Sequence, residues 1–158
     1  MKDIRPQLIR LLREGYCTPQ LSRMAKKTQQ PTTTLQYNIK KLEREGAVRT
    51  YKAVFDYPKI GEGFCAYALI NLATSEYADP EQVARELARH SEIESIDMIT
   101  GEWEMILKIR AKDQEAYYTF IKGVLSKPGI QHIKTLVSLN QVKTEFVAIQ
   151  GSRAKPNR

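Results

Sequence analysis

Between residues 64 and 139 the chain carries strand and helix signals in one order, β-α-β-β-α-β, and few folds accommodate that order. Residues 64–72 form an apolar strand. Asp79-Pro80-Glu81 then reads as a helix start, with an N-cap aspartate, proline in the first turn and an acidic residue beside the dipole. Val83, Ala84, Leu87 and Ala88 make that helix's inward stripe. Residues 93–100 and 103–110 read as a strand pair joined by a tight hairpin at Gly101-Glu102. Asp113 starts a second helix, which lines Tyr117, Phe120, Ile121, Val124 and Leu125 along one side and ends at Pro128-Gly129. Residues 130–139 supply the fourth strand, and 142–149 a further short edge strand. The pattern is a split βαβ sandwich of ferredoxin-like type, with both helices on one face of the sheet.

A sheet covered on one face should alternate apolar and polar side chains, and this one does not do so cleanly. In the first strand Cys65, Tyr67 and Leu69 share one face, while Ala66, Ala68 and Ile70 share the other. In the fourth, Ile133, Val137 and Leu139 are joined by Leu136 on the opposite side. The second apolar face needs a cover, and the simplest is another copy of the same sheet. A homodimer through this module is expected.

The preceding residues follow a helical period. Ile4, Leu8, Leu11 and Leu12 form one stripe, ended by Gly15. Thr18-Pro19 starts a short helix that buries Leu21, Met24 and Ala25. The turn Thr28-Gln29-Gln30-Pro31 leads into a third helix over residues 31–45, stopped by Gly46, with Leu35, Ile39 and Leu42 inward. Two short helices about a tight turn, braced by a first, make a helix-turn-helix. Residues 47–55 are β-rich with basic residues in the middle, and read as two short strands forming a wing whose tip lies near Arg49 to Lys52. The expected division is a winged helix-turn-helix over 1–61, a ferredoxin-like domain over 62–149 and a disordered basic tail over 150–158.

Charge follows that division. Residues 1–60 hold 13 Lys and Arg against 5 Asp and Glu, residues 61–150 hold 9 against 13, and the last eight add three basic residues. The whole excess of +7 therefore lies in the first module and the tail. A basic module joined to an acidic one points to a polyanionic partner for the first alone. With 42% hydrophobic and 27% charged residues the chain is not wholly disordered. It has no apolar run of membrane-spanning length, and charges from Lys2 onward argue against a secretory signal. Cys17 and Cys65 make neither a disulfide framework nor a metal site, which fits a reducing cytoplasm.

The third helix carries the recognition chemistry. Opposite its apolar side lie Thr33, Tyr37, Lys40 and Arg44, flanked by Thr34, Gln36 and Lys41. Amides and hydroxyls can bond base edges in a major groove, while Lys and Arg neutralise phosphates. Double-stranded DNA is thus the expected partner. Gln30, Thr32, Thr33, Thr34, Gln36, Tyr37, Lys40, Lys41 and Arg44 are the candidate contacts, with Arg49 and Lys52 on the wing.

The paired modules resemble the Lrp/AsnC (feast/famine) transcription regulators. The resemblance lies in Lys41-Leu42-Glu43-Arg44-Glu45-Gly46-Ala47-Val48-Arg49-Thr50-Tyr51-Lys52-Ala53-Val54, in Asp56 to Gly61, and in Ile99-Thr100-Gly101-Glu102-Trp103-Glu104-Met105-Ile106-Leu107-Lys108. It implies an α+β chain in which a winged helix-turn-helix precedes a ferredoxin-like (RAM-type) βαββαβ domain. It also implies a homodimer able to build to a tetramer or octamer, and a small effector such as an amino acid bound near the Thr-Gly turn at a subunit interface. Carried over, Thr100, Gly101 and Glu104 are effector candidates, with Met98, Thr135 and Val137 beside them. Siroheme decarboxylases are similar to the same domain pair, but an enzyme of that kind needs histidines or arginines converging on a tetrapyrrole. His90 and His132, the two histidines, form no such cluster in sequence. An RNA-binding sheet would need paired aromatics flanked by basic residues, which the acidic module lacks. An effector sensor whose helix-turn-helix contacts only protein remains an alternative. A non-enzymatic regulator without metal or cofactor is the expectation.

Overall fold

The computed structural model describes residues 3–73, 79–126, 129–145 and 147–148. The chain divides into two compact units between Val54 and Phe55.

Among its described residues the first unit holds three helices: α1 (Arg5–Glu14), α2 (Leu21–Thr28) and α3 (Thr32–Arg44). Gly15 closes α1 in the left-handed region at φ 103°, and a Cβ there would run into the Thr50 hydroxyl, so both backbone and space demand glycine. Helix α2 starts later than Thr18-Pro19 suggests. The Leu21 amide turns back to the Pro19 carbonyl at 3.1 Å, so the ladder opens from Gln20, whose carbonyl takes Met24 at 3.0 Å. Gln29, at φ 55°, turns the chain, and Pro31 at ψ 144° sets the entry to α3. The expected wing strands over 47–55 do not form: residue 47 lies in a bend and residues 48–56 carry no strand ladder. Their groups bond helices instead: Val48 N–H donates to the Leu42 carbonyl at 3.3 Å, and Ala53 N–H to the Leu12 carbonyl at 3.2 Å. None of the described residues of this unit is buried; Leu35 and Ile39 are half-buried and Leu42 is exposed.

The second unit opens with a 3₁₀ turn at Tyr57–Ile60, followed by β1 (Phe64–Leu72), α4 (Pro80–Leu87), β2 (Ile93–Met98) and β3 (Met105–Ala111). Helix α5 (Gln114–Phe120) runs on through a π turn (Ile121–Leu125) to β4 (Ile130–Val137). Both helix starts carry the expected caps: Asp79 accepts from Gln82 N–H at 2.9 Å, and Asp113 from Ala116 N–H at 2.8 Å. The sheet is antiparallel in the order β2-β3-β1-β4, as the split βαβ requires. Ile70, Leu72, Met105, Leu107 and Ile109 are fully enclosed on its helix face, together with Leu125.

Two bulges shift the phase of β2 and of the start of β4, while β1 and residues 132–137 of β4 alternate without interruption and keep apolar side chains on both faces. The β2–β3 register slips between Ile93 and Ser95, leaving Glu94 as the extra residue. Ile93 and Ile96, three apart, can then both reach the helix-face core. A slip opposite Asn71 and Leu72 leaves Gln131 extra and does the same for Ile130 and Ile133.

Three other expectations are corrected. The turn between β2 and β3 is a six-residue connection over 99–104 rather than a two-residue hairpin, because β2 ends at Met98. Strand β4 stops at Val137. The expected edge strand over 142–149 is a separate hairpin, β5 (Lys143–Thr144) with β6 (Val147–Ala148), whose backbone pairs with itself and not with the main sheet. Pro128, the end of that edge strand at Ile149 and the basic tail over 150–158 lie outside the described residues.

Candidate nucleic-acid interface and effector site

The candidate recognition face is built on α3. All eleven candidate DNA contacts, Gln30, Thr32, Thr33, Thr34, Gln36, Tyr37, Lys40, Lys41, Arg44, Arg49 and Lys52, are exposed. Tyr37, the aromatic residue of α3, is 64% accessible. No side chain caps the amino end of the helix. Asn38 donates to the Thr34 carbonyl at 2.8 Å, and the Arg44 guanidinium to the Lys40 carbonyl at 3.4 Å. Two acidic side chains near the end of α3 are engaged: Glu45 by Lys41 at 3.9 Å, and Glu43 by the Tyr51 hydroxyl at 3.0 Å. The surface can therefore offer amides and hydroxyls at one end and cations at the other.

The effector candidates do not form one pocket within a protomer. Thr100, Gly101 and Glu104 lie in the 99–104 connection, where Gly101 adopts φ 119°. The end of β1 fastens this connection through three bonds. Glu104 N–H donates to the Ile70 carbonyl at 3.1 Å, the Asn71 amide to the Glu102 carbonyl at 2.7 Å, and Leu72 N–H to the Glu104 carboxylate at 3.1 Å. Met98 sits beside them on β2, while Thr135 and Val137 lie on β4 at the opposite sheet edge. Three interstrand spacings, about 14 Å, separate those edges. Thr135 shares a 2.7 Å hydrogen bond with the Tyr117 hydroxyl, whose pKa burial pushes up.

The open face of the sheet carries a group that sequence reasoning missed. Glu94, placed by the bulge, accepts from Lys108 at 2.7 Å and from Arg110 at 2.6 Å, and all three side chains are nearly enclosed. Arg110 also donates to Gln141 and stacks 3.6 Å from the Tyr57 ring centre, while Lys108 reaches the Thr144 hydroxyl at 3.2 Å. Burial alone would push the Glu94 carboxyl up, but hydrogen bonds and charge from Lys108 and Arg110 outweigh it and hold the carboxyl below its ordinary range. Cys65, opposite Arg110 on β1, is buried, and that burial pushes its thiol up. The only sequence signal was Lys108 and Arg110 two apart on one strand face. Beside this group Tyr67, Leu69 and Ile106 are half-buried, and Leu136 is exposed.

Among the described residues no group of three or more His, Cys, Asp or Glu side chains could hold a metal ion. His90 lies edge-on to Phe120, and His132 pairs with Asn71 across β4 and β1. No described helix is long and apolar enough to cross a membrane.

The family model for the Lrp/AsnC ligand-binding domain matches residues 65–148, more than half of the chain. The HTH-type transcriptional regulator FL11 of Pyrococcus abyssi is 29% identical over 143 residues, spanning 90% of this chain and 92% of its own. An AsnC-family transcriptional regulator from Agrobacterium tumefaciens superposes with a TM-score of 0.71 at 22% identity, covering 91% of this chain and 94% of its own. A Neisseria meningitidis transcriptional regulator in complex with L-methionine gives 0.70 at 23% identity, covering 87% and 88%. With its sequence match over the ligand-binding domain and the shared fold, this chain belongs to the Lrp/AsnC family.

Proposed function

We propose that the chain is a sequence-specific DNA-binding transcriptional regulator acting as a homodimer in the cytoplasm, with α3 of each protomer in a major groove. The observation that carries this reading is the α3 face, where amide, hydroxyl and cationic side chains stand exposed on one short helix. Half-sites would lie about one helical turn apart or a multiple of it, because a two-fold axis relates the reading helices. Gln36→Ala or Tyr37→Ala should change base preference and cost about 1–3 kcal/mol on the preferred site. Competition binding against single-base variants of that site measures it. Unchanged preference in both variants would remove α3 from the base-reading role.

Tyr67, Leu69, Ile106 and Leu136 support the dimer, as an apolar strip on the sheet face that the helices leave open. Leu136→Glu should convert the dimer to monomer in sedimentation analysis, while an unchanged sedimentation coefficient would place the interface elsewhere. Further assembly to a tetramer or octamer belongs to the same reading. A small effector, an amino acid by analogy with the Neisseria complex, would bind where the second units meet. Met98, Thr100, Gly101 and Glu104 would face it from one protomer, and Thr135 and Val137 would join them only across a protomer boundary. Such a ligand changes DNA binding only by favouring one assembly over another. No catalytic step enters this function.

A further inference from the structure

The segment over 47–56 has no strand ladder of its own, so its fastening to the helices rests on other bonds. Backbone bonds anchor its ends, Val48 to Leu42 and Ala53 to Leu12. Thr50 lies against Gly15, where α1 ends. Between these anchors the Tyr51 hydroxyl donates to the Glu43 carboxylate of α3 at 3.0 Å. Tyr51 is flanked in sequence by Thr50 and Lys52, with Arg49 just before them, so the bond fixes the cationic stretch at its centre. Glu43 is also the first acidic residue after Glu14, and a carboxylate on the recognition helix repels phosphate unless it is turned aside.

We infer that Tyr51 is a positioning residue for DNA binding: through Glu43 it holds Arg49 and Lys52 against the phosphate backbone beside α3. The inference rests on the regulator reading above. The bond replaces the strand pairing that would otherwise stiffen a wing, and it occupies the carboxylate. Tyr51→Phe keeps the ring and removes the donor. Glu43→Gln keeps an acceptor oxygen for the hydroxyl, whereas Glu43→Ala removes it.

The test uses the full chain and two duplexes, one selected by the wild-type protein from a random pool and one of unrelated sequence. Affinity is measured against salt. The log–log slope falls by about 0.9 for every phosphate that the protein no longer neutralises. Tyr51→Phe and Glu43→Ala should lower the slope by the equivalent of one to two phosphates on both duplexes, with base preference and melting temperature unchanged. Glu43→Gln should keep the wild-type slope. In an Arg49→Ala/Lys52→Ala background, Tyr51→Phe should lower the slope no further. A wild-type slope for Tyr51→Phe, or an equal further decrease in that background, would overturn the inference while leaving the regulator reading intact. Failure of the wild type to bind either duplex would overturn both.

Discussion

Glu94→Ala is expected to destabilise the second unit by about 3–5 kcal/mol, because it strands two cations in a nearly closed site. Glu94 meets Lys108 and Arg110 with different oxygens, and the side chains of these three residues are 7–13% accessible. Neither cation regains full hydration when the carboxylate goes, since Gln141, Thr144 and Tyr57 lie over them. Replacing all three together, Glu94→Leu, Lys108→Met and Arg110→Leu, should cost far less than the single change, because no unpaired charge remains. Urea unfolding followed by circular dichroism measures both. A loss below about 1 kcal/mol for Glu94→Ala would mean that the cations are effectively solvated. The same group sets a pH dependence. Its carboxyl is held below the ordinary glutamate range, so the unfolded chain takes up the proton first as pH falls. The contribution is complete above the ordinary glutamate pKa and is lost as pH drops below it, through the folded value. In Glu94→Ala that part of the acid sensitivity should vanish.

Lys40→Ala, Lys41→Ala and Arg44→Ala combined should weaken DNA binding on every sequence alike. The salt slope should fall by about 0.9 for each phosphate left without its cation. All three side chains are exposed on α3 and none is buried in an ion pair; the Lys41–Glu45 pair is long and lies at the surface, so its removal matters little. This behaviour contrasts with the Gln36 and Tyr37 variants, which should alter preference more than slope. Fluorescence anisotropy across a salt series separates the two. If the triple variant kept the wild-type slope, the phosphate-facing surface would lie outside the second half of α3.

Much of the second unit was legible because its signals are local. Asp79 and Asp113 cap the helices that their positions announce, and strand order followed from element order. What stayed hidden depends on register. One extra residue at Glu94 re-phases Ile93 against Ile96 and turns a carboxylate between two cations, and no period-two reading anticipates that. Residues 47–56 have strand propensity, yet their amides find helix carbonyls, so tertiary context overrides propensity. The helix proposed for recognition, α3, was readable as an amphipathic face, and the candidate contacts on and beside it are all exposed. The effector candidates came from resemblance, and they divide between two sheet edges because sequence proximity to a motif says nothing about the opposite edge strand.

Sequence-specific DNA binding through α3 is tested most directly by selecting bound genomic fragments with the full chain, with and without a panel of amino acids. A pseudo-palindromic site with half-sites spaced by about one helical turn or a multiple should be enriched, and that enrichment should be lost in the Gln36→Ala/Tyr37→Ala protein. Recovery of fragments with no shared sequence, or an identical enriched site from that variant, would contradict this binding mode.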